Sequence, residues 1–110
     1  MVKKIKLKGK KRWRVLFRDK KWLAGIYIPE FTRRSEIKEL EKHAGPELFC
    51  LLEGRIRLVI KDNREVREIE MKKGEIIALN CWHNAYCPGG ASGKALVMEK
   101  TGNSTILLSF

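Results

Sequence analysis

The chain contains two histidines, His43 and His83, and carboxylates crowd the first of them. Glu41 lies two residues before His43, and Glu47 lies four after it. Between them, Gly45-Pro46 predicts a turn. A strand that carries His43 and turns there can send Glu47 back inward, so that both side chains converge on one cavity. A second hairpin can bring His83 to the same place from across a barrel. Two imidazoles with one or two carboxylates, and positions left open for water, form a common non-haem metal set. Such nitrogen and oxygen donors accept Fe(II), Mn(II), Zn(II), Ni(II) or Cu(II), and the residue types alone do not choose among them. The same residues also have plainer uses. A glutamate after a turn can simply accept hydrogen bonds, and a histidine in a β-rich core can simply be packed.

Short strands are expected to position these groups. Turn signals recur along the chain at Lys8-Gly9-Lys10, Arg18-Asp19-Lys20, Lys61-Asp62-Asn63, Lys72-Lys73-Gly74, Pro88-Gly89-Gly90 and Thr101-Gly102-Asn103. The runs between them are rich in β-branched and aromatic residues, a pattern that predicts a sandwich or barrel. Trp13, Val15 and Phe17 alternate with arginines, as expected of a strand with one buried face. Trp22 to Ile28 reads as a second strand that stops at Pro29. Ile56, Leu58 and Ile60 share one face, and Val66 to Met71 reads as the hairpin partner of that strand. Ile76 to Leu79, Ala95 to Met98 and Thr105 to Leu108 complete the set. Ser35 to His43 reads two ways. A helix capped at Ser35 would point Glu41 and His43 in nearly opposite directions, whereas a strand would put them on one face.

The 110 residues suit one domain, and 44% hydrophobic with 34% charged residues is a globular composition. The net charge of +11 is unevenly placed. Residues 1–21 hold eleven Lys or Arg and the single acid Asp19, so the rest of the chain is nearly balanced. This segment reads as a basic N-terminal strand whose lysines protect a sheet edge. Specific nucleic-acid binding is not expected, because no recognised binding signature accompanies the charge. No apolar run is long enough to span a bilayer, and the charged N-terminus lacks the apolar region of a secretion signal. The expected location is therefore the cytoplasm. Reduced thiols at Cys50, Cys81 and Cys87 agree with it, and the Asn103-Ser104-Thr105 sequon reads as chance. The absence of Gln alongside abundant Lys, Glu and Arg is a bias seen in heat-adapted proteins. Phe49, Cys81 and Trp82 are the expected pocket residues, Trp82 because it adjoins His83. Cys81 could instead pack as a small hydrophobe.

The run from His43 to Gly54 resembles the first motif of the cupin superfamily. That motif has two histidines in an H-x-H arrangement, then a Glu, and a Gly after six further residues. His43 matches the second histidine, Glu47 the glutamate and Gly54 the glycine, while Glu41 stands where the first histidine is usual. Gly74 and His83 match the ends of the second motif, with Trp82 in a position often held by an aromatic residue. The stretch between them is two residues shorter than usual and lacks the internal Pro and Gly. Trp82-His83-Asn84, Val97-Met98-Glu99 and Thr101-Gly102-Asn103 are similar to a group of small cupins. The resemblance implies an all-β, double-stranded β-helix (jelly-roll) barrel formed by residues 1–110 as a single domain. It implies Glu41, His43, Glu47 and His83 as ligands of a divalent metal, with a small polar metabolite in the cavity. Isomerase, lyase and dioxygenase chemistries all occur on this fold, as do metal-free binding or sensor domains. It also implies a homodimer, often formed through an N-terminal strand. A nucleic-acid-associated role for the basic N-terminus is the minor alternative.

Overall fold

A computed structural model describes residues 1–102 and 104–110; the asparagine of the sequon, Asn103, lies outside the described residues. Among the described residues ten strands follow one another. They are β1 (Trp13–Arg18), β2 (Trp22–Tyr27), β3 (Glu39–His43), β4 (Glu47–Gly54), β5 (Arg57–Asp62), β6 (Glu65–Glu70), β7 (Ile76–Leu79), β8 (Trp82–Tyr86), β9 (Gly93–Lys100) and β10 (Thr105–Ser109). They form two five-stranded antiparallel sheets, ordered β1-β2-β9-β4-β7 and β10-β3-β8-β5-β6. Among the described residues no helix is long and apolar enough to cross a membrane.

The alternation within each strand decides what lies between the sheets. Phe49 and Leu51 from β4, Ala95 and Val97 from β9, Leu58 and Ile60 from β5, and Ala85 from β8 meet in the main core with Ile56 and Met71. The opposite parity builds a second layer. Leu40, Val59 and Tyr86 project from the outer face of their sheet and pack with Ile37, with Phe31 and Trp82 against them. The β5–β6 hairpin forms as expected, with Asp62 opposite Glu65 and Asn63 at a φ of 60° in the turn.

The segment from Ser35 to His43 combines both readings. A 3-10 turn covers Arg34–Glu36, and β3 then begins at Glu39. Glu41 and His43 therefore share a face. The N-terminal expectation needs correction. Residues 1–12 form no strand, and the register of β1 against β2 shifts between Val15 and Phe17. This irregularity breaks the simple alternation. Leu16 is buried in place of its neighbours, while Trp13 and Val15 remain 40% and 38% exposed. Lysines 6 and 8 are tied down through their backbones, since Arg14 Nη1 donates to both carbonyls at 3.0 and 2.7 Å.

Candidate metal centre

Strand pairing brings the chemistry-bearing residues together from both sheets. In one sheet Glu41 of β3 lies opposite His83 of β8, and His43 follows two residues along β3. In the other, Glu47 opens β4 directly after the Gly45-Pro46 turn and lies opposite Glu99 of β9. All five side chains line a cavity of about 290 Å³ between the sheets.

Glu47 and His83 are each only 3% exposed. Glu47 Oε1 sits 2.9 Å from His43 Nε2 and 3.4 Å from His83 Nε2. Glu41 Oε1 sits 3.5 Å from His43 Nε2 and 3.8 Å from His83 Nε2. The ligand-type atoms of Glu41, His43 and His83 lie within 4.8 Å of one another, as do those of His43, Glu47 and Glu99. The four residues expected from the sequence thus converge.

Each imidazole is anchored through its other nitrogen. His83 Nδ1 donates to the Cys81 carbonyl at 2.9 Å, which leaves the Nε2 lone pair facing the carboxylates. His43 Nδ1 is 2.9 Å from Thr105 Oγ1, and Thr105 pairs with His43 in register from β10. Phe49 packs edge-on to the His83 ring, with centroids 5.8 Å apart. Metal-binding imidazoles are oriented in this way, by a hydrogen bond from the far nitrogen and an apolar wall. His83 Nε2 is buried and has no hydrogen-bond partner among the described residues. Such a group costs stability unless something else occupies its lone pair.

Burial dominates the electrostatics. It raises the Glu47 carboxyl to about 8, with Glu99 and Glu41 adding repulsion. Burial also lowers the His83 imidazole, so that the ring is kept neutral, and raises the Glu99 carboxyl. The Tyr27 phenol is pushed up by burial and by Glu41 and stays protonated, a hydrogen-bond donor in the cavity wall.

These shifts predict a pH-dependent stability for the metal-free protein. Glu47 binds its proton more tightly folded than unfolded, so its contribution is full below about 4.5 and is lost as pH rises toward 8. The depressed His83 works in the opposite sense, but only below its ordinary value of 6.5. Between pH 6.5 and 8 His83 no longer contributes, and the raised Glu47 carboxyl, with Glu99 shifted in the same sense, sets the slope. Stability should fall by about 2 kcal/mol over that window, at 1.4 kcal/mol per pH unit. Urea unfolding of wild type and Glu47→Gln at both ends of the window checks this. An equal slope in the two proteins would remove Glu47 as the cause.

Of the expected pocket residues, Phe49 lines the cavity and Trp82 and Cys81 do not. Trp82 precedes His83 on β8, so strand parity sends its side chain to the outer layer beside Leu40, Val59 and Tyr86. The Cys81 side chain packs against the main core, and only its carbonyl serves the site. Glu99, Tyr27 and Arg12 line the cavity without having been picked out as site residues from the sequence. Glu99 carried a readable signal, because Ala95, Val97 and Glu99 continue one inward period along β9.

Two facing five-stranded sheets in this strand order define the class: the chain has the cupin fold. No family model matches the sequence, and no curated protein matches it. Solved structures carry the comparison instead. Hydroxypropylphosphonic acid epoxidase from S. wedmorenis superposes with a TM-score of 0.69 at 20% identity, over 79% of this chain and 49% of that one. Its Fe(II) form gives 0.67 at 22% identity, over 78% and 47%. A cupin-2 domain protein from Shewanella frigidimarina gives 0.61 at 17% identity, over 80% and 78%. The chain therefore spans about half the length of the epoxidase and most of the length of the cupin-2 protein. The epoxidase has been solved with Fe(II) and with Co(II).

Proposed function

We propose that this chain is a metal-dependent cupin in which Glu41, His43, Glu47 and His83 hold one divalent ion beside a small polar metabolite. The observation that carries the reading is His83 Nε2: buried, without a hydrogen-bond partner, fixed in tautomer by the Cys81 carbonyl and aimed at two carboxylates. The donor mix fits Fe(II), Mn(II), Zn(II), Ni(II) or Cu(II). When bound, the ion supplies Lewis acidity, or redox chemistry if it is iron. The chain's own groups do the rest. Phe49, Leu58 and Val97 exclude water from one wall, and Tyr27 presents a phenolic donor. Arg12 offers a positive charge to an acidic substituent of the metabolite. The reaction belongs with the isomerases, lyases or dioxygenases that use this fold.

Elemental analysis of the purified protein, before chelation and after reconstitution, tests the reading. One ion per chain is the expected result. No ion after reconstitution would instead leave a metal-free binding or sensor domain, in which the 2.9 Å His43–Glu47 contact satisfies both groups without metal.

We further propose a cytoplasmic homodimer. β1 is an edge strand, and it leaves Trp13 and Val15 substantially exposed. An edge of this kind is stabilised by a twofold partner. Light scattering at physiological ionic strength, where the positive charge is screened, should give the dimer mass. A monomer at high micromolar concentration would overturn this assignment.

A further inference from the structure

We propose that Glu99 is a fifth ligand residue of the centre, and that its carboxylate biases the site toward ions of five or six ligands, such as Mn(II), over four-coordinate Zn(II). The inference rests on the reading that Glu41, His43, Glu47 and His83 hold an ion, and it adds a residue that the resemblance to cupins does not supply.

The placement of Glu99 comes from the backbone. β9 pairs with β4 so that Glu99 lies opposite Glu47, on the face that also carries Ala95 and Val97. A carboxylate oxygen of Glu99 lies within 4.8 Å of the ligand-type atoms of both His43 and Glu47. The side chain is partly buried and lines the cavity, yet among the described residues no ion pair or hydrogen bond holds its carboxylate. The buried, unpartnered His83 Nε2 is a separate observation that points to a ligand in this cavity.

The two triads, Glu41–His43–His83 and His43–Glu47–Glu99, describe one centre and not two. They share His43, whose Nδ1 is engaged with Thr105 and whose Nε2 alone faces inward. A single imidazole nitrogen serves one ion. An ion shared by the two triads would have two nitrogens and three carboxylates to draw on, so the ligand charge would exceed that of a divalent cation. Zn(II) completes a tetrahedral shell with four of these donors and leaves the fifth unused. Mn(II) favours oxygen ligands and a larger shell, and gains from the fifth.

The test measures Mn(II) by its free-ion paramagnetic resonance signal and Zn(II) by competition with a chelator, on reconstituted wild type, E99Q and E99D. E99Q should bind Mn(II) about tenfold or more weakly while Zn(II) affinity stays within about threefold. E99D keeps the charge but withdraws the oxygens by one methylene, so it too should lose Mn(II) affinity. Equal losses for both ions in E99Q, with wild-type behaviour in E99D, would show that Glu99 acts through charge alone and overturn the proposal. Unchanged affinities in both variants would overturn it as well. If wild type itself binds neither ion, the metal reading fails, and that result is distinct from either pattern in the variants.

Discussion

His83→Ala should remove divalent-metal binding while leaving the metal-free fold nearly as stable as wild type. The first half follows from the geometry. Loss of a hydrogen-bond partner behind a metal ligand costs about 10–100-fold in affinity, and loss of the ligand itself should cost more. His83 is also the donor with the fewest alternatives, because its Nε2 has no hydrogen bond among the described residues. The second half follows from opposing magnitudes. Truncating the ring forfeits its packing against Phe49 and opens a small cavity, which costs roughly 2–3 kcal/mol. It also removes a buried, unsatisfied nitrogen, whose presence costs about 1–3 kcal/mol. The two largely offset each other, which leaves the lost hydrogen bond to the Cys81 carbonyl, about 1 kcal/mol, as the net cost. Metal titration and thermal unfolding, run with and without ion, separate them. Wild type should gain stability on adding metal, and His83→Ala should not. His43→Ala should show the same loss of binding. Full stoichiometric binding by either variant at wild-type affinity would exclude that histidine from the centre.

The site was more legible in the sequence than its surroundings, for a physical reason. Glu41, His43 and Glu47 are separated by a tight turn, so their convergence depends on local geometry that Gly45-Pro46 announces. His83 and Glu99 arrive through cross-strand pairing, which the sequence does not spell out. His83 stands out in the sequence because it is one of only two histidines and occupies a motif position. Glu99 is one of many glutamates, and its difference lies in strand parity, which becomes meaningful once β9 is known to pair with β4. Trp82 shows the same rule from the other side. Adjacency in sequence to His83 means opposition in space on a strand, and the outer layer formed with Ile37 and Leu40 gives the indole a half-buried place away from the cavity. Alternation assumes an unbroken ladder, and the register shift after Val15 breaks it, so the simple pattern does not give the buried face of the N-terminal strand.

The two motif glycines should differ sharply in what a methyl group costs. Gly54 and Gly74 both have positive φ, 74° and 84°. Either substitution by alanine therefore carries backbone strain of about 1–2 kcal/mol. At Gly74 that strain is the whole effect, since a Cβ there has no atom within 4 Å. At Gly54 the Cβ would run into the backbone carbonyl of Ser92. That carbonyl cannot retreat freely, because it accepts the Arg55 amide at 2.9 Å where the end of β4 meets β9. Neither can the neighbouring strand move aside. Gly54 pairs with Gly93, and Gly93 is itself packed tightly against the Arg55 carbonyl and Ile56. Relief requires opening that hydrogen bond or shifting β9, which adds about 2 kcal/mol or more to the strain. Gly54→Ala should then destabilise by roughly 3–4 kcal/mol, a large share of the 5–15 kcal/mol typical of a domain. The melting temperature should fall by roughly 15 °C, against about 5 °C for Gly74→Ala. Calorimetry of the two variants beside wild type reads the difference directly. Equal melting temperatures for Gly54→Ala and Gly74→Ala would show that the β4–β9 junction yields to a methyl group, and that Gly54 serves the turn through its backbone conformation alone.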